Sequence, residues 1–283
     1  MVSMDQFVNN AQQLLNIRLS EAQVESFQIF QQELTAWNEK FNLTGIRDIE
    51  QIRNKHFLDS LTCVLAWGDS RPKNLIDIGT GAGFPGIPLK IIFPTMRLTL
   101  VESIGKKTKF CQHMVDTLKL DQVEIIQDRA EVIGQNVKYR EKFDWAIARA
   151  VANLPVLVEL LLPLVRLGGG VIAQKGESGP AEAQKANNAI HILGGSLRQL
   201  LPVTIPGVAV KNTGPEVVTL LALRVQVTGN EGVPLCTWTE YAATPFAIDR
   251  EMPGPMMPGN PERILSIYSC QVSTDGDAAV TVE

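Results

Sequence analysis

The sequence predicts an α/β fold: a doubly wound parallel sheet preceded by a helical region. Two observations predict it. Short apolar runs alternate with helical segments along the chain, and a glycine-rich turn follows the first apolar run. Such alternation is typical of a parallel sheet covered by helices on both faces. Ligands bind these sheets beyond the carboxyl ends of the strands, so we expect the functional residues there.

The first predicted strand, residues 75–78, leads into the glycine-rich turn. Residues 77–86 read Asp-Ile-Gly-Thr-Gly-Ala-Gly-Phe-Pro-Gly. Gly79, Gly81 and Gly83 have no Cβ, so the backbone can turn sharply there and approach a ligand closely. The turn therefore predicts a nucleotide-type binding site.

Two cofactor classes fit this turn. Residues 81–86 spell G-x-G-x-x-G, the dinucleotide fingerprint. Asp77, two residues before Gly79, would repel a pyrophosphate but would attract the amino and sulfonium groups of S-adenosylmethionine. Unit charges in contact attract by roughly 4 kcal/mol at an effective dielectric constant near 20. The sequence thus favours S-adenosylmethionine, with a dinucleotide or an ordinary glycine-rich turn as alternatives.

Four more strands are predicted at residues 97–101, 123–127, 143–148 and 170–174, with helices at 106–118 and 154–167. Charged residues follow three of these strands: Glu102, Asp128 and Arg149. An acid about 20 residues after the turn can accept hydrogen bonds from both ribose hydroxyls of an adenosine, and an adenine could lodge at the segment that begins with Asp128. Taken singly, each of these residues would be interpreted as a solvent-exposed charge in a loop. Their common position at the carboxyl ends of predicted strands favours a binding site instead.

The chain divides into three segments. Residues 1–68 are predicted helical, with a capping box at Ser20 and Gln23 and an aromatic stripe read as a buried helix face. Residues 69–225 hold the cofactor-binding sheet. Residues 226–283 contain 6 of the 16 prolines and 2 basic against 8 acidic residues, which leaves 24 basic against 22 acidic in residues 1–225. This acidic tail is predicted to carry little packed structure.

Composition limits the protein class. With 283 residues, 45% of them hydrophobic, the chain can bury one sizeable core. No apolar stretch reaches membrane-spanning length, and the polar amino terminus shows no secretory pattern. The four cysteines and three histidines are scattered, without metal-ligand or disulfide spacing. We expect a cytoplasmic monomer that uses neither metal nor membrane.

Several strings together carry a family resemblance: Asn42-Leu43-Thr44, His56-Phe57-Leu58-Asp59-Ser60-Leu61, the 77–88 turn, Val101-Glu102-Ser103, Ala148-Arg149-Ala150 and Lys175-Gly176. In this order, over roughly residues 5–225, the chain resembles the small-subunit rRNA guanine-N7 methyltransferase family known as RsmG or GidB. The resemblance implies a class I S-adenosylmethionine-dependent methyltransferase with a Rossmann-like sheet, acting on 16S rRNA in the decoding-region loop of the small subunit. Related proteins end in a short basic segment, and the acidic tail departs from that pattern.

The resemblance also places functional residues. It puts the family's cofactor contacts on Gly79, Phe84, Glu102, Ser103, Ile104, Ala130, Glu131 and Arg149. With the residues named above, the predicted cofactor set also includes Asp77, Gly81, Gly83 and Asp128. The candidates for RNA contact are Arg53, Lys55, His56, Lys106, Lys107 and Lys175. For His56 a structural role is an equal alternative.

Guanine N7 carries a lone pair and no proton, so its methylation needs no general base, and most of the rate would come from proximity and orientation. Arg149 is therefore the catalytic candidate as a positioning group. It either reaches guanine O6 or only binds the cofactor carboxylate. A class I methyltransferase acting on another RNA or a small molecule, and a non-enzymatic binding module, are the alternative functions.

Overall fold

A computed structural model describes residues 4–67, 71–210 and 214–225 of the chain, with side chains as far as residue 206. The predicted acidic tail, residues 226–283, lies outside this range.

The amino-terminal region is helical, as predicted. Its α-helices are α1 (Asp5–Leu15), α2 (Glu21–Phe41), α3 (Ile49–Ile52), α4 (Asp59–Leu61) and α5 (Val64–Trp67), with a π-helix at Arg53–Leu58 between α3 and α4. The helices that follow are α6 (Gly86–Ile92), α7 (Gly105–Thr117), α8 (Ala130–Gln135), α9 (Leu154–Leu161) and α10 (Gly179–Ile192). The strands are β1 (Asn74–Ile78), β2 (Arg97–Val101), β3 (Val123–Ile126), β4 (Phe143–Arg149), β5 (Val165–Lys175), β6 (Gly195–Val210) and β7 (Gly214–Val225).

Within the described residues these strands form one sheet in the order β3-β2-β1-β4-β5-β7-β6. The five strands from β3 to β5 are parallel, and β7 runs antiparallel between β5 and β6. The chain reverses direction across the sheet between β1 and β4, which makes the crevice beyond their carboxyl ends the expected ligand site. The predicted doubly wound α/β class is confirmed.

One predicted boundary was wrong. The helix expected at residues 154–167 ends at Leu161, a 3-10 turn follows at Leu162–Leu164, and β5 already begins at Val165. Pro163 explains the early end, because proline has no N–H for the helix ladder and its ring clashes with the preceding turn. Apolar residues on both sides of this proline hid the change from helix to strand.

The predicted capping box begins α2. The Ser20 hydroxyl accepts from the Gln23 N–H at 3.3 Å, and the Gln23 side chain accepts from the Ser20 N–H at 2.9 Å. The Gln23 amide also donates to the carbonyl of Ile91 at the end of α6. The same residue pair therefore starts the helix and fixes it against the sheet domain.

Five rings form a phenylalanine cluster between the amino-terminal helices and the glycine turn: Phe7, Phe27, Phe30, Phe57 and Phe84. All are buried, and Phe30 stacks on Phe84 with ring centroids 5.1 Å apart. The cluster belongs to one continuous core that extends to β1, β2 and α7. The amino-terminal helices are therefore packed directly against the turn that the sequence marks as the binding site.

Candidate active site

The strand order brings the predicted site residues to one edge of the sheet. Ile78, the last residue of β1, pairs with Val101 on β2 and Ala148 on β4. The glycine turn, Glu102 and Arg149 each follow or end one of these aligned strands. The sequence alone predicts these residues as site residues, and the parallel register of the strands makes them neighbours.

Three of the four glycines in residues 77–86, namely Gly79, Gly81 and Gly83, serve different purposes. All have left-handed backbones, with φ of +67° at Gly79, +63° at Gly81 and +88° at Gly83. A Cβ on Gly81 would meet nothing within 4 Å, whereas one on Gly79 would lie 2.5 Å from Val151 and one on Gly83 only 2.4 Å from Ile87. Gly79 and Gly81 are partly exposed and can face a ligand. Gly83 is buried, so its predicted cofactor contact is revised to a packing role.

Asp77 stabilises the glycine turn through buried hydrogen bonds. It has no exposed surface, and its Oδ2 accepts from the Thr80 hydroxyl at 2.7 Å and the Gly86 N–H at 2.8 Å. Burial raises the pKa of this carboxyl to about 7, against the opposing hydrogen bonds. Asp77 therefore cannot touch a cationic methyl donor in this conformation, and at neutral pH its charge is only partly present. Its predicted contact is revised to shaping the turn.

This burial gives a pH-dependent stability. The pKa of Asp77 is higher in the folded protein than its ordinary value, so the folded state binds the proton more tightly between about pH 4 and 7. Asp77 therefore stabilises the fold at low pH, and this contribution is lost as the pH rises through 7. Asp77→Asn keeps an acceptor oxygen for Thr80 and Gly86 but does not titrate. We expect the thermal midpoint of the wild type to fall relative to that of the variant between about pH 4 and pH 8; parallel pH profiles would contradict this.

Glu102 is the acid at the mouth of the site. It is 6% exposed, and its two oxygens accept from the backbone N–H of Gly81 and of Ile104, each at 2.9 Å. A carboxylate has about four lone-pair sites, so both oxygens keep acceptor capacity for a ligand. Ser103 is exposed, and Ile104 shows 44% of its surface beside the turn. The arrangement offers a fixed acceptor pair next to an apolar surface.

The segment after β3 lies on the far side of Glu102 from the turn. The Asp128 carboxylate accepts from the Arg129 N–H at 2.8 Å at the start of α8. Ala130 is half-buried and Glu131 is exposed, 3.6 Å from Arg129. These positions are compatible with the predicted adenine-binding role, which stays a prediction.

The ring of Phe84 belongs to the core. It is 4% exposed and lies between Phe30 and His56, whose imidazole stacks on it with centroids 4.5 Å apart and planes 13° apart. The ring of Phe84 is therefore committed to packing, and its predicted cofactor contact is revised to a supporting role beneath the turn.

Arg149 is held by two residues of the π-helix and by the first residue of α4. Its Nη1 donates to Asp59 Oδ2 at 2.5 Å and to the Lys55 carbonyl at 3.0 Å, and its Nη2 lies 3.2 Å from His56 Nδ1. The guanidinium also lies 5.2 Å from the Phe84 ring centroid. Sequence reasoning missed Asp59 as a partner of Arg149, because the two residues lie 90 positions apart in the chain.

His56 is neutral in the folded protein. Burial, and then the charge of Arg149, lower its pKa to about 3. Because an arginine can only donate, His56 Nδ1 accepts from Arg149, and its Nε2–H donates to the Thr44 hydroxyl at 2.8 Å. The histidine is 9% exposed and lines the cavity beside Arg149, so its predicted RNA contact and the alternative structural role both stay predictions.

A cavity of about 490 Å³ lies beside this cluster. Its walls include Lys55, Asp59 and Arg149 on one side and Gln174 and Lys175 at the end of β5. Pockets of about 300–1,000 Å³ are the usual size for small ligands. The cavity thus has room for a nucleobase, with Arg149 on its wall.

Two of the predicted RNA contacts are corrected because their side chains are committed elsewhere. Arg53 is 6% exposed and donates from Nε to Gln31 at 2.7 Å. The side chain of Lys175 is 8% exposed, contacts the Ala152 carbonyl and pairs with Glu182 at 2.8 Å. Neither can reach an RNA backbone in this conformation.

The other lysine candidates remain accessible. Lys106 is exposed and Lys107 half-buried in the first turn of α7, and Lys55 is half-buried at the cavity. Their contact with RNA stays a prediction. In the described ranges there is no group of three or more His, Cys, Asp or Glu side chains able to hold a metal ion. The same part of the chain has no helix long and apolar enough to cross a membrane.

The chain is similar to several known proteins. The family model described as rRNA small subunit methyltransferase G matches residues 23–204. The Ribosomal RNA small subunit methyltransferase G of Roseiflexus sp. (strain RS-1) is 49% identical over 72% of this chain and 87% of its own, and that of Bacillus cereus (strain ZK / E33L) is 44% identical over 67% and 80%. The crystal structure of cofactor-bound Rv0187 from MTB covers 79% of this chain and 96% of its own, with TM-score 0.50 and 17% identity, a likeness of fold alone.

Proposed function

Because the chain belongs to the rRNA small subunit methyltransferase G family, we propose that it transfers a methyl group from S-adenosylmethionine to N7 of a guanine in 16S rRNA of the small ribosomal subunit. The observation that carries the proposal is the rigid acceptor pair of Glu102 beside the open face of Gly81. Family membership supports the methyl transfer and its RNA substrate. The choice of guanine N7 rests on the sequence resemblance and is compatible with the site, since N7 carries no proton that a side chain would have to remove.

The residues present fit S-adenosylmethionine. Gly81 faces open space and Glu102 is held by two backbone N–H groups, so the turn and the acid form a cradle for an adenosine. Both ribose hydroxyls can donate to a carboxylate fixed in this way. Ile104 gives an apolar surface for the adenine. When bound, the cofactor supplies an electrophilic methyl group on its sulfonium.

The chain's own residues need only place the acceptor base. Guanine N7 has an in-plane lone pair and no proton, so no side chain has to remove one. His56 agrees with this, because it is neutral, buried and engaged at both ring nitrogens. The cavity beside Arg149 would hold the base, and an extruded base is what an enzyme acting on a nucleobase requires. Rate would then come from proximity and orientation.

Arg149 is placed for either of two contacts. It can bind the cofactor carboxylate, or it can donate to guanine O6 and leave N7 unoccupied for attack. Lys55, Lys106 and Lys107 would contact the RNA backbone. Residues 1–225 carry only two more basic than acidic side chains, so we expect salt-sensitive RNA affinity and recognition of a structured particle. We also expect the protein to act as a cytoplasmic monomer.

The test is methyl transfer from labelled S-adenosylmethionine to small subunits that lack the modification, compared with free 16S rRNA and large subunits. Mapping the product by borohydride and aniline cleavage identifies N7-methylguanine. We expect label in 16S rRNA at one guanine. Label at another atom or base would overturn the N7 assignment, and label in a different RNA or a small molecule would favour the alternative substrate class.

A further inference from the structure

We propose that Asp59 is a positioning residue that holds the guanidinium of Arg149 at the cavity wall for ligand contact. The inference rests on the proposed function, since it concerns the same site. Asp59 comes from the amino-terminal helices and Arg149 from the end of β4, so the site is completed only when the two regions pack together.

The pair lies in a poorly solvated environment. The side chains of Arg149 and Asp59 are 17% and 8% exposed, and Nη1 and Oδ2 are 2.5 Å apart. Charge-assisted hydrogen bonds of this kind are short and roughly twice as strong as neutral ones. An arginine in such a bond loses most of its freedom to rotate.

Asp59 is itself fixed from a third element. Gln174 at the end of β5 donates from Nε2 to the Asp59 carbonyl at 2.8 Å, and the same nitrogen lies 3.4 Å from Asp59 Oδ1 and 3.2 Å from the Thr62 hydroxyl. Both oxygens of the Asp59 carboxylate are thus engaged, one by Gln174 and one by Arg149. The chain of contacts runs from β5 through α4 to β4.

The contacts leave one side of the guanidinium for a ligand. Nη1 is used by Asp59 and the Lys55 carbonyl, and Nη2 is used by His56. The Nε–H of Arg149 donates no hydrogen bond to any residue that the structure describes. A planar donor held on one edge is ready to bind a carboxylate or a base carbonyl on the other. Asp59 would therefore act on substrate only through Arg149.

A purely structural ion pair would also hold these elements together, and double-mutant kinetics separate the two roles. Asp59→Asn keeps the shape and removes the charge. We expect it to lower kcat/KM for subunit methylation about tenfold, a change of about 1.4 kcal/mol, and to cause less than about a twofold loss when Arg149 is already methionine, which cannot donate to Asp59. Effects that multiply in the double variant would overturn the proposal.

The matched control is Asp144→Asn. Asp144 pairs with Arg166 at 2.7 Å, near the opposite end of β4, so the same substitution breaks a more exposed ion pair away from the site. We expect a lower thermal midpoint with cofactor affinity and kcat within about twofold of wild type. An equal loss of activity in this control would mean that the Asp59 effect is general destabilisation, and the proposal would fail.

Gln174→Leu provides a second variant if Asp59→Asn does not fold. It loosens Asp59 without removing its charge, so we expect a smaller loss of kcat/KM that again vanishes in the Arg149→Met background. Unchanged kinetics, or a loss that persists in that background, would overturn the proposal. A wild type that neither binds S-adenosylmethionine in calorimetry nor methylates subunits would instead sink the proposed function itself.

Discussion

Replacing Glu102 with alanine is expected to weaken S-adenosylmethionine binding by roughly 100-fold. The carboxylate accepts from the N–H groups of Gly81 and Ile104, and in the proposed complex also from two ribose hydroxyls. Hydrogen bonds to a charged group contribute about 1.5–3 kcal/mol each, so losing the ribose pair alone reaches this size. The dissociation constant from titration calorimetry measures the effect directly.

Glu124→Ala is the control for this variant. Glu124 lies on β3 and pairs with Lys138 on the surface at 2.6 Å. We expect its affinity for the cofactor to match that of the wild type, because exposed ion pairs contribute little. If Glu102→Ala folds and binds S-adenosylmethionine as tightly as Glu124→Ala does, the acceptor role of Glu102 is wrong.

Replacing Phe30 with alanine is expected to lower the free energy of unfolding by about 3–5 kcal/mol, the usual cost of removing a buried phenylalanine ring. Phe30 has no exposed surface and packs against Phe57 and Phe84 in the phenylalanine cluster. Chemical denaturation at neutral pH measures the change. We also expect weaker cofactor binding, because Phe84 belongs to the glycine turn and loses its stacking partner.

Phe41→Ala is the matched control for the core variant. Phe41 is the last residue of α2, the helix that also contains Phe30. It is 39% exposed, and its ring packs against Trp37. Its loss should cost clearly less than the loss of Phe30, since more than a third of the residue is already exposed and no full core cavity is created. A comparable loss of stability in the two variants would contradict the assignment of Phe30 to the core that supports the turn.

Much of the fold could be predicted from the sequence because its signals are local. The apolar runs of β1, β2 and β4 are short and bounded by turn residues, and the capping box marks the start of α2. The site at the carboxyl ends followed from the parallel sheet, which places Glu102 beside the glycine turn. Pro163 is the local feature that ends the helix early, so that β5 begins at Val165.

Whether an individual charged side chain is exposed or buried could not be predicted, because its burial depends on contacts between distant segments. Asp77 looked like a cofactor ligand, and Arg53 and Lys175 like RNA contacts, yet all three are buried with partners inside the protein. Ninety residues separate Arg149 from Asp59. No periodicity or spacing within one segment reports such a pair.

The stacked rings of Phe30, Phe84 and His56 form a column that leads from the middle of α2 to the guanidinium of Arg149. A tilt of that helix would be transmitted along the column to the wall of the cavity. Truncating the amino-terminal helices, or fusing a partner protein to them, would therefore alter substrate binding at the cavity as well as thermal stability.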